Sequence, residues 1–256
     1  MIVKPDSRLV EALHPSPNIG VRRDDRRPHL LLLHYTGMDS VAKAIDWLAR
    51  PESNVSCHYV IDETGLVTQM VPEAARAWHA GASHWAGETD INSASIGIEI
   101  QNPGHAQGYP DFPKEQMRAV AKLSRDIITR HEMKPENVLA HSDVSPGRKI
   151  DPGEKFDWGW LARVGVGHWS EPVPVCASEA GFDVGEEGTQ IAEAQTLLRQ
   201  YGYDVETHGR LDEKTQIVLR AFQLHFRPAR ADGRLDASTR DTLKRLVAAL
   251  PVTMAG

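Results

Sequence analysis

Two histidines and an aspartate stand out as a set. His34 closes the apolar run Leu30 to Leu33 and is followed by Tyr35-Thr-Gly37, where a chain leaves the edge of a sheet. His141 follows a second short run, Val138-Leu-Ala140. Asp151 comes ten residues later, beyond a loop holding Pro146 and Gly147. Two imidazoles and one carboxylate, with a fourth position open, suit a catalytic zinc. Spacing alone leaves a second reading standing, because twelve histidines is a generous supply and most serve packing or face solvent. No local His-Glu-x-x-His motif decides between them.

Glu99 and Lys149 are the next candidates. Glu99 lies inside Ser95-Ile-Gly-Ile-Glu-Ile-Gln101, and its neighbours of the same parity are Ser95, Gly97 and Gln101. It is either a solvated strand carboxylate or a carboxylate in a cleft, able to take a proton from a metal-activated water. Lys149 stands two residues before Asp151, and in extended backbone positions i and i+2 share a face. A cation there would stabilise a developing oxyanion; on an open surface it would be an ordinary lysine.

The elements that must position these residues alternate. Leu30 to Leu33 predicts a strand buried on both faces. Val41 to Arg50 has helical spacing through Val41, Ala44, Ile45 and Leu48. Asn54 to Asp62 and Leu66 to Val71 predict two strands joined by the turn Glu63-Thr-Gly65. Ser95 to Gln101 is a further strand, Pro113 to His131 a long amphipathic helix, and Pro135 to Ala140 a last short strand. Interleaving of this kind predicts an α/β domain with a mixed central sheet flanked by helices. Residues 1 to 28 read as a leading arm, and Arg22-Arg-Asp-Asp-Arg-Arg27 as a solvated turn.

The stretch from Trp169 to Ser178 carries two prolines and no helical period, which predicts a linker. Beyond it lie three amphipathic helices, Ile191 to Tyr201, Asp212 to Phe226 and Asp236 to Leu250. They form a small three-helix C-terminal domain. Gly209-Arg-Leu-Asp212 recurs as Gly233-Arg-Leu-Asp236, each copy placing an aspartate to cap the next helix. The expected organisation is 1–168, linker 169–178 and 179–256.

Composition removes several classes. The chain has 256 residues, 41% hydrophobic and 25% charged, with a formal net charge of -6. That is globular rather than disordered, and neither half is basic enough for a nucleic-acid binder. No apolar run approaches the roughly 20 residues of a membrane helix. Two cysteines, Cys57 and Cys176, cannot make a disulfide framework.

Five segments in order carry a resemblance: Leu32-Leu-His-Tyr-Thr36, Ser56-Cys-His-Tyr-Val-Ile61, Ala77-Trp-His-Ala-Gly81, Ser95-Ile-Gly-Ile-Glu-Ile100 and Ala140 to Gly153. Together they resemble the zinc-dependent N-acetylmuramoyl-L-alanine amidases, which share a fold with peptidoglycan recognition proteins. The second unit resembles the three-helix peptidoglycan-binding module, through Ala194-Gln-Thr-Leu-Leu198, Tyr201-Gly-Tyr203, Ala221-Phe-Gln223 and the repeated Gly-Arg-Leu-Asp.

The resemblance implies zinc ligands at His34, His141 and Asp151, catalytic assistance from Glu99 and Lys149, and substrate contacts at Tyr35, Trp78 and His79. His58 is expected to support the sheet. Recognition proteins that only bind peptidoglycan typically lack the third ligand, so Asp151 argues for an enzyme. The implied reaction is hydrolysis of the amide between N-acetylmuramic acid, intact or 1,6-anhydro, and L-alanine. The implied partner is peptidoglycan or its muropeptides, on a monomer, with the second unit tethering the enzyme to polymer.

Three rivals remain at this point. One is a binding protein without catalysis. Another is a glycosidase pairing Glu99 with Asp143 or Asp90. The third, a Ser or Cys hydrolase, lacks a Gly-x-Ser-x-Gly elbow. The chain as given opens without an export signal, which points to the cytosol, whereas a wall-binding module points to the envelope.

Overall fold

Leu30 to Leu33 are each at most 1% exposed, so this run is covered on both sides. It is the heart of a central strand. The computed structural model describes residues 4–251. The elements run β1 (Ala12–Leu13), β2 (Ile19–Val21), β3 (Leu30–Tyr35), α1 (Val41–Leu48), β4 (Tyr59–Ile61), β5 (Val67–Gln69), β6 (Ala75–Ala77), α2 (Ile91–Ala94), β7 (Ser95–Ile100) and α3 (Lys114–His131). They continue through β8 (Val138–Ala140), α4 (His141–Val144), α5 (Trp158–Arg163), α6 (Thr189–Tyr201), α7 (Glu213–Phe226) and α8 (Ala237–Ala248).

Six strands form one mixed, mainly parallel sheet in the order β1-β5-β4-β7-β3-β8. β4, β7, β3 and β8 are parallel, and β5 is antiparallel to β4. Parity divides the sheet into two faces. Leu31, Leu33, Ile96, Ile98, Val138 and Ala140 share one core with Val120, Leu123 and Ile127 of α3. Leu30, Leu32 and Leu139 share the other with Trp85, Ile91 and Val144, and that core continues into Leu198, Leu219 and Phe222 of the C-terminal helices.

The C-terminal helices therefore form a layer over one face of the sheet. Tyr203 packs edge-on against Trp85 with ring centroids 4.9 Å apart, and Trp158 stacks on His225 at 3.8 Å. Asp143 accepts hydrogen bonds from the Tyr203 hydroxyl and from His225 Nδ1, both at 2.6 Å. Asp212 and Asp236 cap α7 and α8 through the amides of Thr215 and Thr239. The repeat also has a shared lock. Gln195 Oε1 accepts from Gly209 N–H and Gln223 Oε1 from Gly233 N–H, with both glycines at positive φ.

Some expectations change. The strand expected over Asn54 to Asp62 is confined to Tyr59–Ile61; Pro51–Ser53 is a 3-10 turn, and Cys57 lies outside the strand although fully buried. The leading arm supplies β1, parallel to β5, and β2, antiparallel to β6. The solvated-turn reading fails at Arg22, which is 5% exposed. Its guanidinium donates to the carbonyls of Glu73, Ser93 and Ser95. The pattern of charges could not reveal carbonyls brought in from more than fifty residues away. No helix among the described residues is long and apolar enough to cross a membrane.

Candidate metal centre and active site

β3 and β8 are hydrogen-bonded neighbours, pairing Leu33 with Ala140. His34 and His141 are the next residue on each chain, so register alone brings the two imidazoles together at the strands' carboxyl ends. That end is where ligands bind in open α/β sheets. The loop after α4 returns Asp151 to the same point, tied by Ser142 N–H to Asp151 carbonyl at 3.1 Å. His34 Nδ1 lies 2.9 Å from His141 Nδ1, and the Asp151 carboxylate lies 3.2 Å and 3.0 Å from them. All three residues are buried, and they form a group able to hold a metal ion.

The donor set fits a divalent cation. Ligand atoms about 2.0–2.2 Å from a tetrahedral zinc stand roughly 3.3–3.6 Å from one another, close to the edges of this triangle. The protonation states agree as well. Burial holds His34 at about 4, with help from His141, so its ring is neutral at neutral pH. Burial pushes the Asp151 carboxyl up, but the two imidazoles beside it outweigh that and hold it well below the usual range. His141 turns Nε2 toward the Ala80 carbonyl at 3.1 Å, which fixes the proton there and leaves Nδ1 bare.

Glu99 reaches this point by register. It pairs with His34 across β3 and β7, and its parity places it on the same face as that ring. Its Oε2 is buried and has no hydrogen-bond partner. Desolvation, then the charge of Asp151, raises its carboxyl well above the ordinary value, while Lys149 pulls it down. Asp151's share of that rise disappears once a cation takes up its charge.

These groups open into a cleft of ≈ 440 Å³. Tyr35, Trp47, Trp78, Glu99 and Lys149 are among its walls. His79 also borders the cleft, but it is 8% exposed and lies against His34, its Nδ1 3.0 Å from His34 Nε2. His58 stands beside His79, ring centroids 5.6 Å apart: its Nδ1 accepts from Gly97 N–H at 3.0 Å, and its Nε2 faces the Ala75 carbonyl at 3.2 Å.

Two residues escaped the sequence reading. Trp47 lies in α1, outside the stripe of Val41, Ala44, Ile45 and Leu48 that marked the helix in the sequence. Arg148, also beside the cleft, donates to the Ala82 carbonyl at 3.0 Å and to Ser145 Oγ at 2.6 Å, bracing the Asp151 loop. Its position beside Lys149 was the available signal.

The glycosidase pairing does not form. The Asp143 side chain is fully buried and turned to Tyr203 and His225. Asp90 is bound to Arg76 and Arg23. A Cys57 nucleophile is removed too, because burial raises its thiol well above the usual value.

Residues 24–154 match the N-acetylmuramoyl-L-alanine amidase family model, and 187–243 match a peptidoglycan binding domain. The N-acetylmuramoyl-L-alanine amidase AmiD of Escherichia coli K12 is 37% identical over 236 residues, covering 86% of this chain and 83% of that protein. The 1,6-anhydro-N-acetylmuramyl-L-alanine amidase AmpD of Salmonella typhimurium is 34% identical over 168 residues, covering 59% and 88%. E. coli AmiD in complex with anhydro-N-acetylmuramic acid-L-Ala-D-gamma-Glu-L-Lys superposes with a TM-score of 0.74 at 36% identity, covering 89% of this chain and 91% of that one. AmpDh3 from Pseudomonas aeruginosa, in complex with anhydromuramic pentapeptide, gives 0.73 at 30% identity, covering 89% and 94%. The family model spans about half of the chain and the AmiD likeness most of it, and with the cleft just described they make this protein a member of the N-acetylmuramoyl-L-alanine amidase family.

Proposed function

We propose that this amidase binds peptidoglycan fragments in the cleft and cleaves them with zinc held by His34, His141 and Asp151. The observation that carries the reading is the triangle of bare donor atoms beside the unpartnered Oε2 of Glu99. Zinc would supply a Lewis acid for the amide carbonyl and lower the pKa of a water toward 7.

The chain's own residues do the rest. Glu99 takes the proton of the attacking water and returns it to the amine of L-alanine, a role matched by its burial, which favours the protonated acid once formed. Lys149 donates to the oxyanion of the tetrahedral intermediate. Tyr35 and Trp78 flank the muramyl and peptide portions. Water exclusion comes from the depth of the cleft, whose ligands are all buried.

The test is mass spectrometry of zinc-loaded protein with equal amounts of intact and 1,6-anhydro muropeptides. The expected product is a peptide with a free L-alanine amine, and relative consumption ranks the two sugars. A chelator should abolish release and zinc should restore it. Unchanged substrates with zinc bound would overturn the catalytic reading and leave a recognition protein.

A further inference from the structure

Resting on the metal site proposed above, we propose that His79 is a positioning residue that locks the tautomer of His34 and so sets the affinity of the centre. Ser95 Oγ lies 2.6 Å from the Ile91 carbonyl, to which it can only donate. Its lone pairs are left to accept from His79 Nε2, 3.2 Å away. The proton of His79 therefore sits on Nε2, and Nδ1 is bare. His34 Nε2 faces that bare nitrogen at 3.0 Å and must carry the proton between them. A neutral imidazole holds one proton, so His34 Nδ1 is bare, and it is the atom turned to His141 and Asp151.

The neighbouring residue does the same for the second histidine. The Ala80 carbonyl takes the Nε2 proton of His141. Residues 79 and 80 thus fix both imidazole ligands, one by ring and one by backbone. Their segment is pinned in turn: Asn92 Oδ1 accepts from His79 N–H at 3.0 Å and from Ala80 N–H at 2.9 Å.

Gly97 is part of the device. A Cβ on Gly97 would stand 2.5 Å from His79 Nδ1, closer than contact allows. Its glycine lets the His79 ring lie against the backbone of β7, within reach of His34. The motif Ala77-Trp-His-Ala-Gly81 therefore serves the metal as well as bordering the cleft.

Nitrogen-15 spectra of the histidine rings in the unsubstituted, metal-free protein test this without any variant. His34 is expected protonated on Nε2; protonation on Nδ1 overturns the proposal. Chelator competition then reads affinity. His79→Phe fills the site without an acceptor and is expected to weaken zinc binding about 10–100-fold, the range for outer-shell partners of metal ligands. His79→Asn places an amide oxygen near the lost Nδ1 and is expected to recover most of that loss. Ser95→Ala frees the His79 proton and should fall between. A folded His79→Phe protein that holds zinc as tightly as the parent overturns the proposal. If the unsubstituted protein binds no zinc, the metal reading fails instead, while the His34 tautomer still reports on the hydrogen-bond chain.

Discussion

Glu73 and Glu99 are both carboxylates brought into the shelter of one sheet, and their surroundings drive them in opposite directions. Glu73 accepts from the Tyr59 hydroxyl at 2.6 Å, His131 at 2.8 Å and both terminal nitrogens of Arg130. Burial alone would raise it, but those bonds outweigh burial and bring it to about 2. Glu99 meets burial and the charge of Asp151 with no partner on Oε2, and it rises. A carboxylate given every partner contributes stability; one denied them is left able to take a proton. The second condition is unfavourable to folding and persists where chemistry uses it.

The largest effects should come from the deprived carboxylate. Glu99→Gln keeps the shape and removes the base. Turnover is expected to fall about 10²–10⁴-fold with zinc content and unfolding midpoint near the parent's, measured by steady-state kinetics, metal analysis and thermal unfolding. Loss of zinc in that variant would make Glu99 a structural residue like Glu73. Lys149→Ala should cost about 10²–10³-fold in kcat, again with zinc retained. A change confined to KM would place Lys149 in ground-state binding.

Glu73→Gln should act on stability and spare the chemistry. The folded pKa is depressed from 4.5 to about 2. Its contribution is therefore present above pH 4.5 and lost as pH falls through about 2. At 1.36 kcal/mol per unit this is about 3 kcal/mol. Urea unfolding at pH 7 should show a loss of that order, and the gap between parent and variant should close toward pH 2. A constant gap across that range would remove charge from the account and leave shape alone.

Much of the site was legible because it depends on local signals. His34 and His141 each follow a short apolar run, and strand ends are where side chains leave the core. What the chain could not display is pairing. That β3 lies between β7 and β8 is set by pairings 65 and 107 residues apart, and this order turns Glu99 toward His34. Arg22 was misread for the same reason, since charge density says nothing of distant carbonyls. Asp143 looked available as a catalytic acid until Tyr203 and His225 came to it from the far end of the chain.

That last contact divides the molecule in a way a small substitution can probe. Asp143 stands two residues after His141, the proposed metal ligand, and is satisfied by a tyrosine and a histidine from the C-terminal helices. Tyr203→Phe removes one bond from a buried carboxylate and should cost about 1–3 kcal/mol. Two probes can locate that loss. All six tryptophans precede residue 170, so fluorescence reports the sheet region and, through Trp85 and Trp158, its seam with the C-terminal helices, whereas far-ultraviolet dichroism is weighted toward helices in both regions. A shared core requires the two transitions to coincide in the parent and to shift together in the variant. If fluorescence separates into two steps and the earlier one follows the dichroism, the C-terminal helices melt alone and the sheet does not depend on them. If both shift and zinc affinity weakens with them, the helices hold the segment that carries His141, and removing them should impair cleavage of small soluble fragments as well as of polymer.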